Sequence, residues 1–282
     1  MLLHKKTTKI FTLLIVFLVS GKMIAQEPVQ QKVSNKGKFY VYWGWNRGTY
    51  SNSDIRFKGE NYDFTLSDVT ANDRPTKFGI NPYFRLDRIT IPQTNYRIGY
   101  FFKENYTISI GVDHMKYVMN ANQNVLINGT INTGSSYDKV YTNENIQLVE
   151  NFLTFEHTDG LNYINAAVNR FDDFSYLIGL NSENFQINLT EGLGAGILFP
   201  KTNTKLLGKE RHDDFHISGW GVSASVGLNI TFLKHFFIQS DVKAGYINMS
   251  DIRTTKSASD TASQSFYFIE NTILLGGRFR LF

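Results

Sequence analysis

The stretch Gln264 to Phe282, QSFYFIENTILLGGRFRLF, alternates apolar and polar side chains and closes the chain on phenylalanine. A strand with this two-residue period puts its apolar set on one face, and an exposed apolar edge strand invites pairing with other chains. Closing the sheet on itself removes the edge. Inside a bilayer closure is obligatory, because every backbone N–H and C=O must find its partner within the protein. The last stretch therefore asks the rest of the chain for further alternating strands, beginning with one that can pair with it.

Such strands recur. Lys38–Tyr50 sets Phe39, Val41, Trp43 and Trp45 against Tyr40, Tyr42, Gly44 and Asn46. Pro92–Phe102, Tyr106–Val118, Leu161–Phe171, Asn184–Phe199, His216–Phe232 and Phe236–Met249 repeat the pattern, which with the last stretch gives eight. Each is long enough for the ~9–11 residues that a tilted strand needs to cross a bilayer. Tight turns at Lys103–Asn105 and Leu233–His235 alternate with long polar connections over 51–91, 120–159 and the charged loop after Phe199. A hairpin is expected around Gly59–Glu60–Asn61 in the first of these. The expected fold is all-β, an antiparallel transmembrane β-barrel of eight strands with long exterior loops and short periplasmic turns.

Alternation alone also fits a soluble sandwich or a lipocalin-like barrel with its apolar set inside. The composition of the two faces decides. The polar sets mix glycine, serine and threonine with charges of both signs, while the apolar sets carry terminal aromatics suited to a membrane interface. On this assignment Arg97, Asp113, Asp241, Lys243, Glu270, Arg278 and Arg280 face a lumen narrow enough for side chains to fill, and pair there as an ion network. A small conducting channel is the alternative.

Two residues break the pattern. Glu191 falls on the apolar set between Leu189 and Leu193, which calls for a bulge near Gly192 or a shifted strand boundary. Phe282 falls out of phase with Ile269, Ile273, Leu275, Phe279 and Leu281. That calls for a bulge at Gly276–Gly277 or a side chain tucked under the rim.

Residues 1–25 read as a signal peptide: Lys5, Lys6 and Lys9, an apolar run from Ile10 to Val19, and a small residue, Ala25, before the cut. The run is about half the ~20 residues of a spanning helix. Residues 26–37 form a polar periplasmic lead-in, and 38–282 the barrel. The formal charge of +4 comes from that leader, which holds four lysines and no acid; beyond it 25 basic side chains face 25 acidic ones. A neutral mature chain offers no electrostatic case for nucleic acid. With no cysteine there is no disulfide framework and no thiolate metal site.

The sequence carries no GxSxG, no HExxH and no phosphate-cradling glycine loop, so neither a cofactor nor a metal is expected. The best cluster for chemistry is Glu156-His157-Thr158-Asp159-Gly160-Leu161-Asn162, with Asp113-His114-Met115-Lys116 as its neighbour across strands. Both histidines are expected near the exterior interface, where they could polarise a water or hold a divalent cation; a polar rim is the plainer reading. His212, Asp213, Asp214 and His216 form a second such group. The first cluster resembles the motif of the lipid A 3-O-deacylase family, in which a histidine is followed two residues later by a catalytic serine and then an asparagine. The resemblance implies His157 as general base and puts Asp159 at the position of the serine; His114, across strands, is the partner the residues themselves offer.

As a whole, Lys38–Phe282 resembles the small outer-membrane β-barrel proteins of Gram-negative bacteria. That resemblance implies the outer membrane as location and recognition of the last strand, with Phe282, by the barrel-assembly machinery. The expected function is a structural or interaction role through exterior loops that contact lipopolysaccharide, membrane lipid or a protein partner. A lipid A-modifying hydrolase using His157, Asp159 and His114 is the alternative.

Overall fold

Alternating sequence becomes a ring of strands. The structure, a computed structural model, describes residues 34–88, 91–180, 184–209 and 214–281. The signal peptide, the first part of the lead-in, His212, Asp213 and Phe282 lie outside the described residues.

In chain order the strands are β1 (Phe39–Tyr50), β2 (Ser53–Gly59), β3 (Tyr62–Val69), β4 (Ala71–Asn72), β5 (Thr94–Phe101), β6 (Tyr106–Asp113), β7 (Tyr117–Met119) and β8 (Asn124–Ile131). There follow β9 (Lys139–Gln147), β10 (Leu153–His157), β11 (Tyr163–Asp173), β12 (Phe185–Leu198), β13 (Asn203–Leu206), β14 (Gly219–Phe232), β15 (Phe236–Arg253) and β16 (Thr261–Phe279). Among the described residues, β1, β5, β6, β11, β12, β14, β15 and β16 pair in that order, and β16 pairs back onto β1. The closing ladder runs antiparallel from Phe39↔Phe279 to Tyr50↔Phe268 without a shift.

That ladder passes straight through Gly276 and Gly277, so the expected bulge there is absent. β16 ends instead at Phe279, whose ring faces outward beside Phe39 at 6.3 Å. Glu191 also needs no bulge. Its register is continuous on both sides, with Arg170 opposite on β11 and Val226 opposite on β14. The carboxylate thus lies in a polar stretch of the outer face, beside Arg170, whose guanidinium pairs with Asp172 Oδ2 at 2.8 Å.

The outward set is apolar around the ring. Val41, Tyr96, Ile98, Ile108, Ile110, Val168, Leu193, Val222, Leu228, Ile238, Ile269 and Ile273 are all exposed. A contiguous apolar girdle of this kind is not sustained in water and defines a bilayer-facing wall. The inward set holds polar groups and rings. Glycines make room for the rings: the Tyr40 ring lies over Gly99 and the Phe237 ring over Gly276, where any side chain would collide.

The far end, opposite the chain termini of the barrel, departs most from expectation. The long connections are not irregular. Beyond Tyr50 the chain turns into β2, which continues the pairing on β16 through Ile55↔Gln264 and Lys58↔Thr261. β2 pairs with β3 around a tight hairpin at Gly59↔Tyr62, β3 with β8 and β8 with β9. A second sheet of four strands, β13-β10-β7-β4, faces this extension. The expected strand Tyr106–Val118 is accordingly two elements. β6 ends at Asp113, and Met115 and Tyr117 are buried in the far-end core.

Alternation explains these strands too. Ile55 and Phe57, Tyr62, Phe64 and Leu66, Val125 and Ile127, and Leu153 and Phe155 are buried, while the residues between them are partly or fully exposed. Phe57 stacks on Phe64 at 5.4 Å and meets Phe155 edge-on at 5.6 Å. Each such side chain contributes about 1.5–3 kcal/mol by burial, enough for the set to hold two small sheets together. The core continues down through Tyr117, Phe266, Tyr163 and Phe268 to the barrel mouth.

Candidate functional site

Strand alternation brings the predicted lumen residues inward from β5, β6, β15 and β16. Lys243 Nζ lies 2.6 Å from Asp113 Oδ2 and 3.0 Å from Glu270 Oε2. Asn95 Nδ2 donates to both carboxylates, at 2.7 Å to Asp113 and 2.9 Å to Glu270. Arg97 Nη2 stands 4.0 Å from Asp113 Oδ1 and donates to Asn165 Oδ1 at 2.5 Å, while Nε donates to Tyr42 Oη at 2.9 Å and Nη1 to Ser109 Oγ at 3.0 Å. Two cations and two anions, each hydrogen-bonded, cancel in a space where an unpaired charge would be costly. Asp241 sits apart, held by Thr190 Oγ1 at 3.1 Å and Gln239 Nε2 at 2.8 Å. A void of about 30 Å³ remains among these residues, the room of a water molecule or two.

The two arginines at the end of β16 behave otherwise. Arg278 meets no carboxylate among the described residues. Its guanidinium lies 5.2–5.6 Å from the rings of Phe171, Phe101 and Phe237 and donates to Asn229 Oδ1 at 2.8 Å. A cation caged by ring faces is stabilised by their quadrupoles, so the expected ion pair is replaced by cation–π contacts. Arg280 is not in the lumen. It follows the last paired residue, so alternation no longer directs it, and it is exposed with Nη2 donating to Lys36 O at 3.1 Å.

The expected exterior site does not assemble. His157 is fully buried, ringed by Tyr117 and Phe155 at 5.6 and 5.0 Å. Gln264 Nε2 can only donate, so His157 Nε2 accepts at 3.2 Å, and its Nδ1–H donates to Thr202 Oγ1 at 2.9 Å. Burial pushes its pKa down to about 3. Both ring nitrogens are used and no water can reach them, so His157 is a core residue and cannot serve as general base at a lipid interface. Asp159 is half-exposed and faces Lys201 Nζ at 3.5 Å, and His114 Nδ1 bonds Asn162 Oδ1 at 2.8 Å. His216 Nε2 pairs with Asp251 Oδ2 at 2.8 Å. Among the described residues no three His, Asp or Glu side chains are grouped to hold a metal.

Sequence reasoning missed the outer-wall residues of 78–84 and Ile91. A short helical turn at Ile80–Tyr83 lays Tyr83 and Phe84 against Trp45 of β1, at 5.8 and 5.7 Å, and leaves Phe78 and Ile80 72% and 81% exposed. The signal was present as Phe78, Ile80, Tyr83, Phe84 and Ile91 within a stretch taken as polar.

Wall, filled lumen and closing ladder together define a membrane-spanning β-barrel. No protein-family model matches the chain, and no curated protein matches it in sequence. Its likeness is to solved barrels. The outer membrane protein OprG from Pseudomonas aeruginosa is 12% identical over 88% of this chain and 98% of its own, with a TM-score of 0.41. The outer membrane protein AlkL is 10% identical over 92% and 98%, with a TM-score of 0.36. Ail, the attachment invasion locus protein of Yersinia pestis, is 9% identical over 86% and 99%, with a TM-score of 0.29. Likeness at these scores carries no argument about ligand or activity.

Proposed function

We propose that this chain is an outer-membrane β-barrel whose lumen is closed and whose far end, on the cell exterior, is a folded platform for contacts with lipid or protein. The observation that carries the reading is the far-end core. Connections that only had to join strands would be short or irregular; these build two facing sheets around Ile55, Phe57, Phe64, Leu66, Ile127 and Phe155. Both barrel termini lie at the other end, which in this orientation is periplasmic. The last strand, β16, is then the one offered to the barrel-assembly machinery.

Closure at three levels supports the non-conducting reading over a channel: the far-end core, the paired charges, and the floor of Tyr40, Phe101, Phe171 and Phe237 around Arg278. Burial of His157, with both ring nitrogens engaged, speaks against the hydrolase alternative.

An epitope inserted in the β8–β9 turn at Gly134 tests the orientation. Antibody is expected to label intact cells. Labelling only after the outer membrane is permeabilised would overturn the reading.

A further inference from the structure

The β15–β16 ladder shifts register between Met249 and Ile252 near the far end and is interrupted a second time within the wall. It pairs Gln239↔Leu274 and resumes at Val242↔Asn271 in the same register, with no ladder pair at Ser240 and Asp241 opposite Ile273 and Thr272. Hydroxyls carry the connection there. Ser240 Oγ donates to Thr272 O at 2.9 Å, and the Asp241 N–H donates to Thr272 Oγ1 at 3.2 Å. On the outside of this splayed seam lies a groove of about 520 Å³, within the range of ligand pockets. Trp45 and Ile273 floor it, Phe78 and Tyr83 wall it, and Arg47 and Asn271 stand opposite each other across the β1–β16 ladder at its polar end.

We propose that this groove holds a phosphate-bearing acyl lipid of the outer leaflet. The inference rests on the membrane orientation above and names one partner of the exterior face. Three observations choose this occupant over a protein segment. The groove opens on the apolar wall, continuous with Val41, Ile238 and Ile273, so what reaches it first is an acyl chain. Arg47 is the first outward charge of β1 beyond Trp43 and Trp45, where a cation meets lipid phosphates, and its guanidinium is oriented by donation to Tyr83 Oη at 3.1 Å. The outward amide of Asn271 has no protein partner among the described residues. Left bare on a lipid-facing wall it is unfavourable, and an ester or phosphate oxygen satisfies it. The flanking segment 73–88 adds four bases, Arg74, Lys77, Arg85 and Arg88, against Asp73 and Asp87.

The test titrates lipid A into the full-length barrel in detergent and counts bound lipid by native mass spectrometry. Dephosphorylated lipid A and phosphatidylglycerol run alongside, and heat-modifiable gel migration certifies the fold of each variant. Lipid A is expected to bind the wild type at least tenfold more tightly than its dephosphorylated form. Arg47→Gln should abolish that preference, Arg47→Lys should keep most of it, and Ser240→Trp should fill the groove and weaken binding of every acyl lipid. Equal binding by folded wild type and variants would overturn the proposal, as would equal affinity for the dephosphorylated lipid. Phosphatidylglycerol binding tighter than lipid A would overturn the choice of outer-leaflet lipid. Lost lipid binding with the epitope still on the cell surface sinks the groove alone; an epitope hidden in intact cells sinks the orientation on which it rests.

Discussion

Lys243 and Asp113 meet at 2.6 Å across the full width of the barrel. Their strands, β15 and β6, stand four places apart in the ring of eight, so the pair is a tie along a diameter. Glu270 at 3.0 Å and Asn95 make it a junction of four strands. A barrel whose opposite walls are joined through its axis has side chains crossing its lumen at that level.

Removing the cation should therefore be severe. Lys243→Met leaves Asp113 and Glu270 as buried carboxylates without their shared partner, and a loss of about 3–5 kcal/mol is expected. Urea unfolding followed by the heat-modifiable gel band measures it.

Arg278 predicts the opposite result for a change of the same kind. Its guanidinium has rings and an amide around it but no acid, and Asn229 Oδ1 also accepts from Thr231 Oγ1 at 2.9 Å. Arg278→Leu removes a buried charge without orphaning another, so stability should shift by less than about 1 kcal/mol or rise. The same unfolding assay distinguishes the two arrangements.

His157 gives a pH dependence. The fold holds the ring neutral, with a pKa of about 3, while the unfolded chain takes up a proton below about 6.5. The unfolded state binds the extra proton in the window between these values, so stability is full above pH 6.5 and falls as the pH drops toward 3. His157→Gln, which can keep both hydrogen bonds, should lose about 2 kcal/mol less than wild type between pH 7 and pH 5. Parallel slopes for the two proteins would contradict the buried neutral histidine.

The far-end core should melt without the barrel. Phe57→Ala or Phe155→Ala opens a cavity between the sheets at a cost of about 3–5 kcal/mol. Protease should then cut within 51–91 and 120–159 while the barrel fragment stays resistant. Joint loss of both would show that the two parts fold as one.

The barrel class was legible because each ring strand shows its two faces in composition as well as in period, as Ile108 and Ile110 against Thr107 and Ser109 show. β2, β3, β8 and β10 alternate equally well. The residues on their other face, such as Asp54, Arg56, Asn128 and the partly buried Glu156, are charged or amide-bearing, so the segments read as loops. The fate of His157 was not legible. A histidine beside Glu156 and Asp159 resembles a site until Tyr117, distant in sequence, and Phe155, two residues back on the same face, close over it. Arg278 and Arg280 have the same period, and only the end of pairing at Phe279 separates a caged residue from an exposed one.

Single-channel recording of the purified protein in planar bilayers tests the closed barrel most directly. The account predicts no stable open conductance for the wild type, and Lys243→Met, which cuts the tie across the lumen, as the variant most prone to leak. A wild-type protein that opens stably would contradict it.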